Sequence, residues 1–160
     1  MAKMIDARPS FRGEARVWES LGRLLPDSVV VYNNREVNGR EFDFCLLIEG
    51  VGILVIEVKG WLADKVLVEG VDRILVEGID APQRSPKKQA RAYRFALLNK
   101  ISEKYNSSPC VFDMVCYPFI SKAEYLSVRL DVVSEETLTI FKEDLESREA
   151  LLEKIHGAYD

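Results

Sequence analysis

The run Gly52-Ile53-Leu54-Val55-Ile56-Glu57-Val58-Lys59 constrains this chain more than any other stretch. A continuous apolar run that ends in charge reads as a strand in the middle of a sheet, buried on both faces. It is far too short to cross a bilayer, which takes about 18 apolar residues or more, so no membrane is expected as a partner. Strand alternation puts Leu54, Ile56 and Val58 on one face and Ile53, Val55, Glu57 and Lys59 on the other. The second face therefore begins apolar and finishes in an acid and a base, which a central strand seldom carries. Two readings stand open on these residues: a strand end reaching solvent with its ion pair, or a site of chemistry.

The flanking segments supply partners for such a strand. Phe11 to Leu25 has helical spacing, with Val17, Leu21, Leu24 and Leu25 on one stripe, Ser10 as N-cap and Pro26-Asp27 as the stop. Val29 to Tyr32 is a short β-branched run, with turns marked by Asn33, Asn34, Asn38 and Gly39. Glu41 to Ile48 alternates, so Phe42, Phe44, Leu46 and Ile48 are expected on one face before the Glu49-Gly50 turn. Lys65 to Val68 and Arg73 to Val76 read as a hairpin, in which VLVEG is echoed by ILVEG; two copies fall short of a repeat protein. After the linker Ala81 to Pro86, a second helix is expected over Lys87 to Tyr105, burying Ala90, Leu97 and Ile101. Strands are expected at Val111 to Tyr117 and Leu130 to Val133, and a closing helix over Lys142 to His156 with Leu145, Leu151, Leu152 and Ile155 apolar. The order predicts an α/β fold, a mixed central sheet flanked by helices. The 160 residues are expected to form one domain, its core at about 11–133 and its closing helix at about 142–156.

Composition removes several classes of function. With 48% hydrophobic and 30% charged residues the chain is neither disordered nor fibrous. Its three cysteines, Cys45, Cys110 and Cys116, make no CxxC pair and read as reduced thiols of a cytoplasmic protein. Met1 to Arg12 has no apolar core of a signal peptide. His156 is the only histidine, so His-based triads and zinc sites lack material. No GxxxxGK[ST] is present, and Gly50-Val51-Gly52 lacks the rest of a dinucleotide fingerprint and reads as a turn. The net charge of −4 argues against a binder that coats nucleic acid by bulk charge. Charge is nevertheless segregated: Arg84, Lys87, Lys88, Arg91, Arg94, Lys100 and Lys104 cluster against Glu103 alone, whereas Asp131 to Glu153 is acidic. A phosphate footprint and a solvated helix face both fit that basic segment.

Carboxylates, lysine and a hard metal remain. Pairing through the Glu49–Gly50 turn makes partner numbers add to about 100, because the turn sets the register. Asp43 then lies beside the Glu57 end of the neighbouring strand. Two acids that close repel unless a proton or cation lies between them. A divalent cation on Asp43, Glu57 and the Val58 carbonyl is the economical solution, and oxygen ligands select Mg²⁺ or Mn²⁺. Glu14 projects from the inward stripe of the first helix; it is either an acid favoured by the helix dipole or a residue of the metal site. Gln89, in the first turn of the second helix, is either a surface glutamine or a group aimed at the metal water or a phosphate. Tyr93 and Ala96 share its stripe, while Lys87, Arg91 and Arg94 form the neighbouring one.

Asp43 followed, after residues 44–56, by Glu57-Val58-Lys59 resembles the core of PD-(D/E)XK nucleases. More narrowly, the chain resembles the nuclease-related domain, NERD, in Gly13-Glu14, Gly39-Arg40-Glu41-Phe42-Asp43, Gly52 to Gly60, and Pro86 with Gln89. Phe42 stands where the PD motif has proline. The resemblance spans about Gly13 to Val133 and implies a restriction-endonuclease-like core. It implies a hydrolase that cleaves DNA phosphodiester bonds, in DNA processing or repair, with Asp43 and Glu57 on the metal and Lys59 at the attacking water. Glu14 and Gln89 would position the metal shell and the water, and Lys87, Lys88, Arg91 and Arg94 would hold the DNA backbone. Members of that family often lie beside helicase or kinase domains. This chain carries neither, so it reads as free-standing or as the N-terminal piece of a larger helicase-like protein, with a helicase domain in cis or in trans as partner. The alternative is a non-catalytic nucleic-acid-binding or docking domain attached to such a helicase.

Overall fold

A computed structural model describes residues 1–105 and 110–159. Its elements are β1 (Lys3–Met4), α1 (Arg12–Leu24), β2 (Val29–Val37), β3 (Arg40–Ile48), β4 (Gly52–Val58), β5 (Val66–Gly70), β6 (Arg73–Val76), α2 (Pro86–Tyr105), β7 (Val111–Cys116), α3 (Lys122–Ser127), β8 (Thr139–Ile140) and α4 (Arg148–Tyr159). Six strands form one mixed sheet in the order β1-β2-β3-β4-β7-β8, and β5-β6 is a separate hairpin. β2 and β3, and β3 and β4, pair antiparallel, whereas β1 with β2, β4 with β7 and β7 with β8 are parallel. Parallel neighbours need a long crossover; the hairpin and α2 supply it between β4 and β7.

β4 is central, and Leu54 to Val58 are all buried, as its apolar run requires. On one face Leu54, Ile56 and Val58 pack with Val17, Leu21 and Leu24 of α1 and Leu151 and Ile155 of α4. On the other, Val55 joins Phe42, Cys45 and Val111 under Tyr93, Leu97 and Leu98 of α2. A third cluster, around Trp61, Ile74, Tyr117, Tyr125 and Phe141, roots the hairpin at the end of β7. The three cysteines are free thiols. Among the described residues no helix is long and apolar enough to cross a membrane.

Several expectations need correction. Phe42 and Phe44 do not share a face: Phe44 packs with α1, Phe42 with α2. The cause lies in β2, which continues through Asn33 and Asn34 to Val37 instead of turning at the asparagines. Asn34 takes a positive φ of 54°, a conformation asparagine tolerates better than most residues. Pairing lapses between Asn33↔Phe44 and Arg35↔Phe42, and the alternation of β3 breaks at Asp43. The segment at Leu130 is a 3-10 turn over Leu130–Val132, not a strand; Leu130 and Val133 are buried while Val132 is exposed, a period of three. The closing helix is two pieces, a 3-10 turn over Glu143–Leu145 and then α4, which begins afresh beyond Ser147. The residue capping α1 is Phe11, without a side-chain cap bond, rather than Ser10.

Candidate active site

The site lies where β3 and β4 separate. Their ladder runs from Ile48↔Gly52 to Phe44↔Ile56, the register the turn demands, and stops there. Beyond it, the Val58 N–H has no strand partner on the β3 side and donates instead to Asp43 Oδ2 at 2.7 Å. The Lys59 N–H donates to Cys116 of β7 at 3.0 Å. A trans peptide points its carbonyl opposite to its N–H, so the Val58 carbonyl faces the β3 side, toward Asp43. Glu57 and Lys59 leave β4 together, with Lys59 Nζ 3.4 Å from Glu57 Oε1 and side-chain exposures of 19% and 7% for Lys59 and Glu57.

α1 delivers Glu14 to this gap through a glycine contact. A Cβ on Gly13 would stand 2.9 Å from the Gly60 Cα, closer than real side chains approach, so only paired glycines let the helix start sit on the end of β4. Glu14 thereby lies against Asp43, whose charge and hydrogen bond, after burial, push the Glu14 carboxyl up to about 7. Glu57 is pushed up to about 8, first by burial and then by the charge of Asp43, with Lys59 opposing. Asp43 is itself raised by burial, against the pull of the Val58 N–H. Burial thus raises all three carboxyls, and the charge of Asp43 adds to it at Glu14 and Glu57.

α2 brings the other wall. Gln89 is in its first turn, its N–H bonded to the Ser85 carbonyl at 3.2 Å, and its Oε1 is buried without a donor. Burial, and after it the charges of Glu57 and Asp43, push the hydroxyl of Tyr93, one turn on, up to about 12. Tyr93 packs on the α2-side cluster within reach of the acids, and its place on the Gln89 stripe was the signal for that position. Glu57 Oε2 is likewise buried without a donor.

Of the basic residues, Lys87 pairs with Glu135, and Lys88 Nζ lies 3.3 Å from Asp72. Arg94 Nη1 lies 3.3 Å from Asp113 Oδ2, and Asp113 is 5% exposed. Arg91 is exposed and among the described residues makes no ion pair. Asp113, an acid inside the buried strand β7, carries the same sequence signal as Glu57.

Among the described residues no group of three or more His, Cys, Asp and Glu side chains is disposed to hold a metal ion. The oxygens at this gap are those of Asp43 and Glu57, with Glu14 against Asp43, and the Val58 carbonyl. An acid on β3 and an acid-x-lysine on β4 thus stand at the open end of a mixed sheet flanked by helices. The chain belongs to the nuclease-related domain family, NERD, whose profile matches residues 9–118.

Two solved structures show partial similarity to the chain. A repair endonuclease from Pyrococcus abyssi has 14% identity and a TM-score of 0.41, covering 84% of this chain and 48% of its own. An EndoMS–dsDNA2 complex has 11% identity and a TM-score of 0.42, covering 88% of this chain and 48% of its own. The chain thus spans about half the length of each of these structures. A search of curated proteins found no match.

Proposed function

We propose that this domain is a metal-dependent nuclease that hydrolyses DNA phosphodiester bonds. The observation that carries the reading is the buried Glu57 Oε2, which has no donor although it stands beside Asp43 and Lys59. An unsatisfied buried carboxylate oxygen is costly, and a hard cation removes that cost. Asp43, Glu57 and the Val58 carbonyl would hold it, and an all-oxygen set suits Mg²⁺ or Mn²⁺. Such a cation supplies stabilisation of the charge that grows on the phosphate. Glu14 lies behind Asp43 and keeps that carboxylate oriented. Lys59 orients or deprotonates the attacking water, and Gln89 Oε1 accepts from the same water. Lys87, Lys88, Arg91 and Arg94 would line the strand's backbone along α2, Arg91 making no ion pair of its own among the described residues.

The Lys59–Glu57 ion pair at 3.4 Å favours a second reading, in which Lys59 only neutralises a buried acid and the domain binds nucleic acid, attached to a helicase in cis or in trans, without cutting it. Incubating plasmid and single-stranded DNA with the wild-type protein, with and without Mg²⁺ or Mn²⁺, separates the two. Metal-dependent cleavage that is lost in Asp43→Asn is the expected result. Absence of cleavage with every metal and substrate, while binding persists, would leave the docking role.

A further inference from the structure

Beside the acids lies a cleft of about 760 Å³, lined by Phe11, Arg12, Glu14, Lys59, Trp61 and Phe119 among others. That is the size of sites that enclose a small organic group, and Glu14 and Lys59 are part of its lining. Three of the protein's exposed large apolar side chains converge here: Phe11, at 74% exposure, Leu62 and Ile79. Exposed apolar surface gathered at a polar site marks binding rather than packing.

The cleft has the chemistry of a stacking site. Arg12 holds its guanidinium 5.2 Å from the centre of the Phe119 ring and among the described residues makes no ion pair. Trp61, at the floor, is held against Tyr117 with ring centres 6.0 Å apart. The outer wall is fixed in place: Gln83 and Ile74 exchange two backbone bonds, at 2.7 and 3.0 Å. Asp72 accepts from the Ser85 N–H at 2.7 Å, tying the hairpin to the start of α2.

We propose that this cleft takes an unpaired nucleobase, stacked on Phe11 and Phe119, with Arg12 on the adjoining phosphate. The substrate is then a single strand or an unpaired end, since the bases of an intact duplex are stacked on one another and cannot reach Phe11. Aromatic rings beside an open cation are how proteins hold single strands without reading sequence. This deepens the nuclease reading and rests on it for the neighbouring chemistry, but the binding is separable from cleavage.

The test is equilibrium binding in EDTA, where no cutting intervenes. The probes are a short fluorescein-labelled oligothymidine and a duplex of the same length, with wild type, Phe11→Ala and Phe11→Trp. Phe11 is exposed, so neither change should disturb folding, which melting curves verify. Wild type should prefer the single strand. Phe11→Ala should lose about tenfold in affinity for it, the effect of one stacked base, with little change for the duplex, and Phe11→Trp should restore it. A fluorescent purine analogue in the oligonucleotide should be quenched by wild type and not by Phe11→Ala. Equal affinity of all three proteins for oligothymidine, or equal loss in both variants, would overturn the proposal. Cleavage persisting alongside that result would leave the nuclease reading intact. Stacking without any metal-dependent cleavage would do the reverse.

Discussion

Asp43 Oδ2 accepts a hydrogen bond from the backbone N–H of Val58 at 2.7 Å. A side chain of β3 occupies the place in the ladder that a backbone carbonyl of that strand would otherwise fill. The same bond therefore opens the sheet and fixes an acid at the opening. It also ties the position of Asp43 to the backbone of the acid-x-lysine segment, so a shift of either strand would move both carboxylates.

That arrangement predicts a metal effect on stability. Mg²⁺ or Mn²⁺ should stabilise wild type by mass action, by about 2.7 kcal/mol at a concentration 100 times Kd, and so raise its melting temperature. Asp43→Asn keeps an oxygen for the Val58 N–H and should fold, yet it should lose the rise. Thermal melts across a metal titration check this; an unchanged wild-type curve at millimolar metal would count heavily against the site.

The raised acids predict a pH effect of definite sign. Glu57 is held up to about 8 and Glu14 up to about 7, against an ordinary value of 4.5. Between those limits the folded protein binds more protons than the unfolded chain, so stability falls as pH rises. The contribution is fully present below about 4.5 and is lost as pH climbs through about 7 to 8. In EDTA the melting temperature should therefore decline over that window. Glu57→Gln should flatten the decline, and added Mg²⁺ should reverse it, because the cation takes the place of the protons. A wild-type melting temperature that is flat in EDTA across the window would contradict the cluster.

The basic face of α2 predicts a graded response. Reversing Lys87, Lys88 and Arg91 to glutamate should weaken DNA binding and flatten its salt dependence, since each lost phosphate contact releases fewer counterions. Arg94 differs: it holds the buried Asp113, and Arg94→Glu should lower the melting temperature, because a buried acid loses its cation and meets a second acid. Binding titrations at several salt concentrations, together with melts, distinguish a phosphate contact from an anchor.

The parts of this site legible in the sequence were those set by period and turn. An apolar run ending in Glu57-Val58-Lys59, and a turn that fixes register, placed Asp43 beside Glu57 without any knowledge of the third dimension. Illegible was the break at Asn34, because a single positive φ leaves no periodic trace; it turned Phe42 to the face opposite Phe44. Leu130-Asp131-Val132-Val133 has strand composition, but Arg129 in the left-handed region starts a 3-10 turn there. Other features were readable and missed. Ser121 and Glu124 form a capping box that starts α3, and Ser147 accepts from the Ala150 N–H at 3.0 Å where the closing helix restarts. The Gly13–Gly60 contact joins positions far apart in sequence, and only the fold reveals why both are glycine.

Lys59 separates an enzyme from a binding module. Its ammonium lies 3.4 Å from Glu57 Oε1, and Glu57 is the more buried partner. If neutralising Glu57 is its whole role, Lys59→Met leaves a buried acid without its cation. That acid is already held up to about 8 by burial and Asp43, so at neutral pH it can keep a proton, and the loss of stability should be modest. With metal bound, Asp43 and Glu57 have a stronger cation than Lys59, and the loss should shrink further. A lysine that serves the attacking water behaves differently. Lys59→Met should then melt near wild type in Mg²⁺, bind metal and DNA, and cut about 10²–10⁴-fold more slowly, the usual contribution of a positioned proton-transfer group. Lys59→Arg should restore the ion pair and the stability but not the rate, because a guanidinium does not give up a proton near neutrality. Melting temperature, metal affinity and cleavage rate measured on the two variants together decide the matter: cleavage undiminished in Lys59→Met would exclude the lysine from the chemistry.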